Sequence, residues 1–417
     1  MIVAENALIS TLKNLRGNPR AAVYTEPLWG IPYNLYAPYA SLYMLALGVT
    51  DSQIGMLASI GLALQVVFAL LSGAITDKFG RKRTTLFSDL LSWSIPMLIL
   101  AVSQNFYYFL AAAIIGSIWR VSSTSWLCML VEDAKENQLV HIYAWTEIAG
   151  YSAAFFTPIA GLLIGKFSLV PTVRILYLFA FIMMTVKALV FNFYVTETRQ
   201  GKIRMQETRH QPLFSLLRGY RGVLGQVLRT PRTLMIVSIQ LVISIGMTIS
   251  NTFWAILVTG KLHFPETNIA YFSFFRSVVM LVFYFLIVPR ISSKYFRRPM
   301  LWGFLGLITG QTLLISMPEK SYVFLLLTIL IDAWSFALIN PLLGSMITLN
   351  VDPQERARIM AIISVVVISL TSPFGWIAGR LSEANRILPF VLNIALFAIG
   401  FLLVPVAAWV VKRASET

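Results

Sequence analysis

Residues 72–85 read SGAITDKFGRKRTT. Charged residues are only 12% of the chain, yet Asp77, Lys78, Arg81, Lys82 and Arg83 fall within seven positions between two long apolar runs. The surroundings explain why charge is so scarce elsewhere. Hydrophobic residues are 57% of the 417, and mean hydropathy is +0.75. Thirty-three basic and eighteen acidic residues cannot coat a globule of 46.8 kDa, so the solvent for most of this surface is lipid. The knot at 77–83 is then a loop between two membrane crossings.

A net charge of +15 would suit nucleic acid if it formed one face. Here the basic residues lie in short clusters between apolar segments, which excludes that partner. A single cysteine, Cys128, rules out a disulfide framework within the chain, and His141, His210 and His263 lack metal-ligand spacing. No metal and no cofactor are expected. Residues 1–20 lack the apolar stretch and cleavage site of a signal peptide. Ala4, Leu8, Leu12 and Leu15 follow helical spacing with Lys13 and Arg16 off the stripe. An N-terminal segment, 1–23, lying on the cytoplasmic membrane surface is expected.

Each helical crossing needs roughly 20 mostly apolar residues. Twelve are read, at about 24–47, 52–76, 84–103, 106–131, 139–165, 172–195, 233–259, 268–289, 299–317, 321–348, 357–380 and 387–411. With the N-terminus inside, 24 of the 33 Lys and Arg fall on the cytoplasmic side and 6 outside. The positive-inside rule thus places both termini in the cytoplasm of a multi-pass protein of the cell membrane.

The chain also repeats itself. LGVTDSQI at 47–54 matches LHFPETNI at 262–269, RK at 81–82 matches RR at 297–298, IAG at 159–161 recurs at 377–379, and DAKEN at 133–137 resembles DPQER at 352–356. Four matches in one order indicate two parallel six-helix blocks, 24–196 and 233–411, with a short tail at 412–417. The linker 197–232 is basic. Leu213, Leu217, Tyr220, Leu224 and Val227 form a helical stripe within it, read either as an interfacial helix on anionic inner-leaflet lipid or as a basic loop that sets topology.

Gly73, Asp77, Lys78, Gly80, Arg81, Lys82 and Arg83 fill every position of G-x-x-x-D-[RK]-x-G-[RK]-[RK]-[RK], between spans two and three. That pattern resembles the loop signature of the major facilitator superfamily. With the span count and the repeat, the resemblance covers essentially the whole chain. It implies an all-α membrane protein with twelve transmembrane helices in a 6+6 pseudo-symmetric major facilitator fold. It also implies a rocking motion around a midplane site. Gly73, Asp77, Gly80, Arg81 and Arg83, with Glu132 and Asp133 at the end of span four, are expected to form a conformational latch at the inner face. Asp77 is expected to approach the start of span eleven near Arg356. The second-half counterpart, PRISSKYFRRP at 289–299, keeps the bases but has Ser293 where Asp77 would stand.

An ionisable group inside a span costs a few kcal/mol or more and needs a partner or a task. Glu26, Asp89, Arg120, Glu147, Lys187, Arg276 and Asp332 are such groups. Matching depth pairs Arg120 with Glu147, Asp89 with Lys187, and Arg276 with Asp332. Asp89, Lys187 and Arg276 are read as structural ion-pair members. The resemblance places spans one, four, seven and ten around the central cavity. This carries Glu26, Asn34, Arg120, Asn251, Asp332 and Asn340 toward a substrate and proton path, with Glu147 beside Arg120. A basic residue in span four recurs in the proton-coupled drug antiporter branch. The span-five stretch TPIAGL keeps only part of that branch's G-P-x-x-G-G pattern. Span one presents Trp29, Tyr33, Tyr36 and Tyr43 on one face, which can stack a flat solute, hold a cation, or simply pack at an interface; Tyr36, near mid-span, is read as part of the substrate path and Trp29 as interfacial.

No nucleotide-binding motif and no catalytic set is present, so an ATP-driven pump and an enzyme are both disfavoured. A monomeric secondary transporter of a small organic solute is expected, with the proton as coupling ion and export of drugs or metabolites as its direction. Uptake of a sugar or related polar or anionic metabolite is the alternative, and a non-transporting membrane sensor on the same fold is the rival of another class.

Overall fold

In the computed structural model the described residues are 12–134, 139–212, 230–287, 296–349 and 356–413. All their regular structure is helical, as a chain in lipid requires when each backbone group must be satisfied within its own segment. Ten helices are long and apolar enough to cross a membrane: 51–79, 81–101, 106–131, 145–167, 169–194, 233–260, 297–316, 322–343, 360–384 and 388–410.

The expected first span is instead a broken rod. Gly17–Thr25 (α1) and Pro27–Tyr36 (α2) are followed by a 3-10 turn at Ala37–Tyr39 and by Ala40–Ala46 (α3). Proline sets these breaks: Pro27 opens α2, where its missing N–H costs nothing, and Pro38 sits in the 3-10 turn. Then come Asp51–Phe79 (α4), Arg81–Asp89 (α5), a π turn at Leu90–Ser94, Ile95–Ala101 (α6), Phe106–Gly116 (α7), Trp119–Val131 (α8), Leu139–Ala153 (α9), Thr157–Phe167 (α10) and Leu169–Tyr194 (α11). Arg199–Thr208 (α12) is a short helix in the expected linker. Pro231–Gly260 (α13), Asn268–Ile287 (α14), Arg297–Ser316 (α15), Tyr322–Leu349 (α16), Arg356–Ala384 (α17) and Leu388–Arg413 (α18) complete the order.

Two compact units emerge. One comprises 1–38 and 67–218, the other 39–66 and 219–417. Residues 39–66, expected in the first block, therefore group with the second. Within that unit the reason is close packing of α4 on α17. A Cβ at Gly55 would lie 2.3 Å from the carbonyl oxygen of Gly375 and 2.7 Å from the Cα of Gly379. Ser59 Oγ donates to the Ser372 carbonyl at 2.5 Å and accepts from the Trp376 amide. Small residues let the two backbones touch, which is how helices associate where lipid removes the hydrophobic drive. Elsewhere in this unit α15 packs on α16 and α18, α13 on α17 and α18, and α14 on α16.

In the first unit α11 is the hub, packing on α1, α2, α5 and α6. Its buried face runs through Val173, Leu176, Tyr177, Ala180, Met184, Lys187, Ala188 and Phe191, a spacing of three and four residues that keeps one stripe inward. Leu15, from the N-terminal stripe, is 2% exposed among Met129, Leu130, Ile142 and Phe191. It seats in protein rather than on a membrane surface. The linker stripe at 213–227, the start of the chain at 1–11, the loop at 289–295 and the last residues 414–417 lie outside the described residues.

Candidate functional site

The turn at 77–83 is built by Gly80, whose φ of +84° suits glycine and ends α4. A Cβ there would meet Glu197 Oε2 at 2.6 Å and Met205 Sδ at 2.7 Å. Glu197 uses that space to accept from the Arg81 and Lys82 amides at 2.9 and 3.0 Å. It thereby caps α5 with an anion, where orphan N–H groups and the helix dipole both favour one. The Arg81 side chain is 5% exposed and lies 3.0 Å from Asp77 and 3.1 Å from Glu132. Its Nε also reaches both Glu132 oxygens at 3.2 Å. The outer oxygen of Asp77 takes Arg204 of α12 at 2.9 Å, and Arg204 also meets Glu207 at 2.8 Å. The hydrogen bond from Arg204 to Asp77 raises the guanidinium pKa above its ordinary value. Asp133 accepts from Asn18 at 3.1 Å. Asp77, Arg81, Glu132 and Asp133 are thus brought together with the linker. Gly73 stays inside α4, and Arg83 lies exposed, turned to a groove rather than into this network. The expected approach of Asp77 to the helix at Arg356 involves a side chain outside the described set.

A second group lies inside the same unit. Lys187 Nζ is 3.5 Å from Asp89 Oδ2, with the two side chains 9% and 4% exposed. Ser122 donates to the other Asp89 oxygen, and Lys187 sits 5.8 Å above the Trp126 ring. Glu26, at the α1–α2 break, is within electrostatic reach of both Lys187 and Asp89. Its Oε2 is buried without a hydrogen-bond partner among the described residues. The π turn follows Asp89 directly and carries Trp93.

Beside this group the aromatic rings meet. Trp29 stacks on Tyr33 at 4.8 Å and meets Trp93 edge-on at 5.1 Å. Tyr36 touches Tyr177 at 4.9 Å, and Trp93 reaches Trp119 at 6.4 Å. Arg120 lays its guanidinium over Trp119 at 4.2 Å. The pair expected between Arg120 and Glu147 is not formed: Glu147 is exposed and has no ionic partner among the described residues. Equal depth on neighbouring helices does not fix the azimuth of either side chain. Tyr43, expected on the same face, is fully buried.

In the second unit Arg276 and Asp332 share a small cavity with Trp254, Phe272, Ser273 and Phe336. They make no direct ion pair among the described residues. Asp332 Oδ2 accepts from Gln311 at 3.2 Å, while Oδ1 is buried with no hydrogen-bond partner among the described residues. Asn34 turns back to the Gly30 carbonyl at 2.8 Å, Asn251 is exposed and Asn340 half-buried. At the far end of α17, Asp51 takes Ser382 at 2.6 Å and Arg386 at 3.6 Å.

Glu197, Arg204, Asn18, Ser122 and Gln311 were not singled out from sequence. Each either binds backbone or answers a charge distant in the chain, and only Thr198, whose side chain caps α12 by accepting from Gly201, leaves a readable local signal.

A scan against family descriptions matches residues 30–371 to the Major Facilitator Superfamily. The chain belongs to the major facilitator superfamily. It is therefore a multi-pass membrane transporter. Solved members share its fold at low identity. The nucleoside transporter NupG superposes with a TM-score of 0.71 at 14% identity, covering 95% of this chain and all of that one. A POT family transporter in complex with a thioalcohol-conjugated peptide gives 0.71 at 14%, covering 97% and 99%. The human organic anion transporter MFSD10 gives 0.63 at 17%, covering 93% and 100%. In sequence the chain is 26% identical over 210 residues to the multidrug resistance protein MdtG of Serratia proteamaculans (strain 568). That likeness spans 49% of this superfamily member and about half the length of the relative, 50%.

Proposed function

We propose that this major facilitator protein exports a small, flat organic solute in exchange for protons. It does so by alternating access in a twelve-span, 6+6 arrangement with both termini cytoplasmic. The broken rod 17–46 and α14 supply the two crossings beyond the ten long apolar helices. The observation that carries the reading is the group of Glu26, Asp89 and Lys187 beside the aromatic rings. Two carboxyl groups share one ammonium in a buried setting, so a proton held by one carboxyl relieves the excess negative charge. The carboxyl group of Glu26, with one oxygen unbonded, is the member able to load and release that proton as access changes. The rings of Trp29, Tyr33, Trp93 and Trp119 offer an adaptable stacking surface, with Arg120 at its edge. The partial likeness to a multidrug resistance protein supports the direction and substrate class.

The experiment is transport of an aromatic dye in liposomes holding the purified protein, with and without an imposed pH gradient. Wild type is expected to move dye in response to the gradient. Glu26→Gln is expected to bind dye but to lose the response. Gradient-driven transport that persists unchanged in Glu26→Gln removes Glu26 from the coupling step.

A further inference from the structure

On the flank of the first unit a groove of about 410 Å³ runs between α4, α5 and α8. Phe68, Ile75, Phe79, Phe87 and Leu91 make its walls. Phe79 is 54% and Phe87 63% exposed, on helices whose apolar lengths cross the membrane. These rings therefore face hydrocarbon. The end of the groove nearest the 77–83 turn is polar. Arg83 lies there, exposed and without an acidic partner among the described residues. Its neighbour Arg81 is consumed by Asp77 and Glu132. Thr84, only 5% exposed, also lines the groove and its Oγ1 has no hydrogen-bond partner among the described residues.

We propose that this groove binds one anionic phospholipid of the leaflet bordering the 77–83 turn. The phosphate lies on Arg83, an oxygen of the headgroup or glycerol region accepts from Thr84, and an acyl chain lies along Phe79, Phe87 and Leu91. Three features select this occupant. The site is amphipathic over a short distance, with apolar walls leading to one uncompensated cation. That cation sits at the end of a spanning helix, the depth of headgroups, where anionic lipids attract Lys and Arg. Its partner must accept hydrogen bonds from a guanidinium, and phosphate suits that fork. The only carboxylate of the turn, Asp77, is already occupied by Arg81 and Arg204, so it does not repel a phosphate. This assignment gives Arg83 a task outside the inner-face network, and it stands whichever solute is carried.

The test is native mass spectrometry of the full-length protein in detergent, offered equal phosphatidylglycerol and phosphatidylcholine with the same chains. Wild type is expected to retain phosphatidylglycerol in preference. Arg83→Ala is expected to lose about fivefold in phosphatidylglycerol retention, the worth of one interfacial basic residue, with phosphatidylcholine retention unchanged. Arg83→Lys should recover most of it, Thr84→Val should weaken it, and Arg298→Ala, an exposed basic residue of the other unit, should leave it intact. Millimolar inorganic phosphate is expected not to displace the lipid. Equal retention by wild type and Arg83→Ala, or displacement by inorganic phosphate alone, overturns the proposal.

Discussion

Arg81 is nearly buried and binds two carboxylates, so its removal strands Glu132 beside the 77–83 turn. Breaking such a pair from one side costs about 3–5 kcal/mol. Arg81→Ala should therefore lower the unfolding midpoint markedly, and Arg81→Lys should restore little, because one ammonium cannot span both Glu132 oxygens as the guanidinium does. Thermal unfolding in detergent checks both, and a lysine variant as stable as wild type contradicts the forked geometry. Gly80→Ala should cost about 1–3 kcal/mol from backbone strain alone, since its φ of +84° with ψ of 158° is a glycine conformation, and more through the clash with Glu197. Arg120→Ala is expected to abolish flux with the protein still largely folded; normal flux in that variant would remove Arg120 from the transport path. At this scale the sequence revealed which charges matter, because an ionisable residue in an apolar run is conspicuous. It did not reveal their partners. Glu197 binds amides, which every residue offers, and Arg120 met an aromatic face where an acid was expected.

The helix α12 is the element that ties the linker to the 77–83 turn. Its docking rests on Arg204 with Asp77, on Thr208 with the Asp77 carbonyl at 3.2 Å, and on Thr198 with Glu132. The Arg204 pair is partly exposed, so its loss should cost no more than ~1 kcal/mol of global stability. It should nonetheless free α12 locally. Hydrogen exchange of Arg204→Ala is expected to show faster exchange at 199–208 with the spanning helices unchanged. Unaltered exchange there would mean that α12 is held by its other contacts. The spanning helices were legible because lipid imposes length and apolarity together. The break of the first span was only partly legible: Pro38 stands in the 3-10 turn, whereas Pro32 lies inside α2 without breaking it, and the position of Glu26 at the α1–α2 break was visible only in three dimensions. The π turn after Asp89 has no sequence signal, since its residues LLSWS suit an ordinary helix equally well. The position of α12 was obscured by the basic composition of the linker, which equally suits a segment lying on anionic lipid.

At the scale of the whole molecule, the 73–83 signature, with the span count and the duplicated order of motifs, foretold the family, and the family description matches it over residues 30–371. Duplication did not foretell how the chain divides: the approach of Gly55 to Gly379 assigns 39–66 to the second compact unit. Asp77→Asn is expected to shift the balance between inward- and outward-facing forms, read by labelling single cysteines from each side in a background lacking Cys128. Unchanged labelling from both sides would remove Asp77 from that balance. The most direct measurement of proton-coupled transport is flux in sealed liposomes across a panel of aromatic solutes, with a pH gradient imposed and then collapsed by a protonophore. Proton-coupled export predicts that at least one solute accumulates with the gradient and drains when it collapses. Flux that is indifferent to the gradient, or absent for every solute on a folded protein, contradicts it.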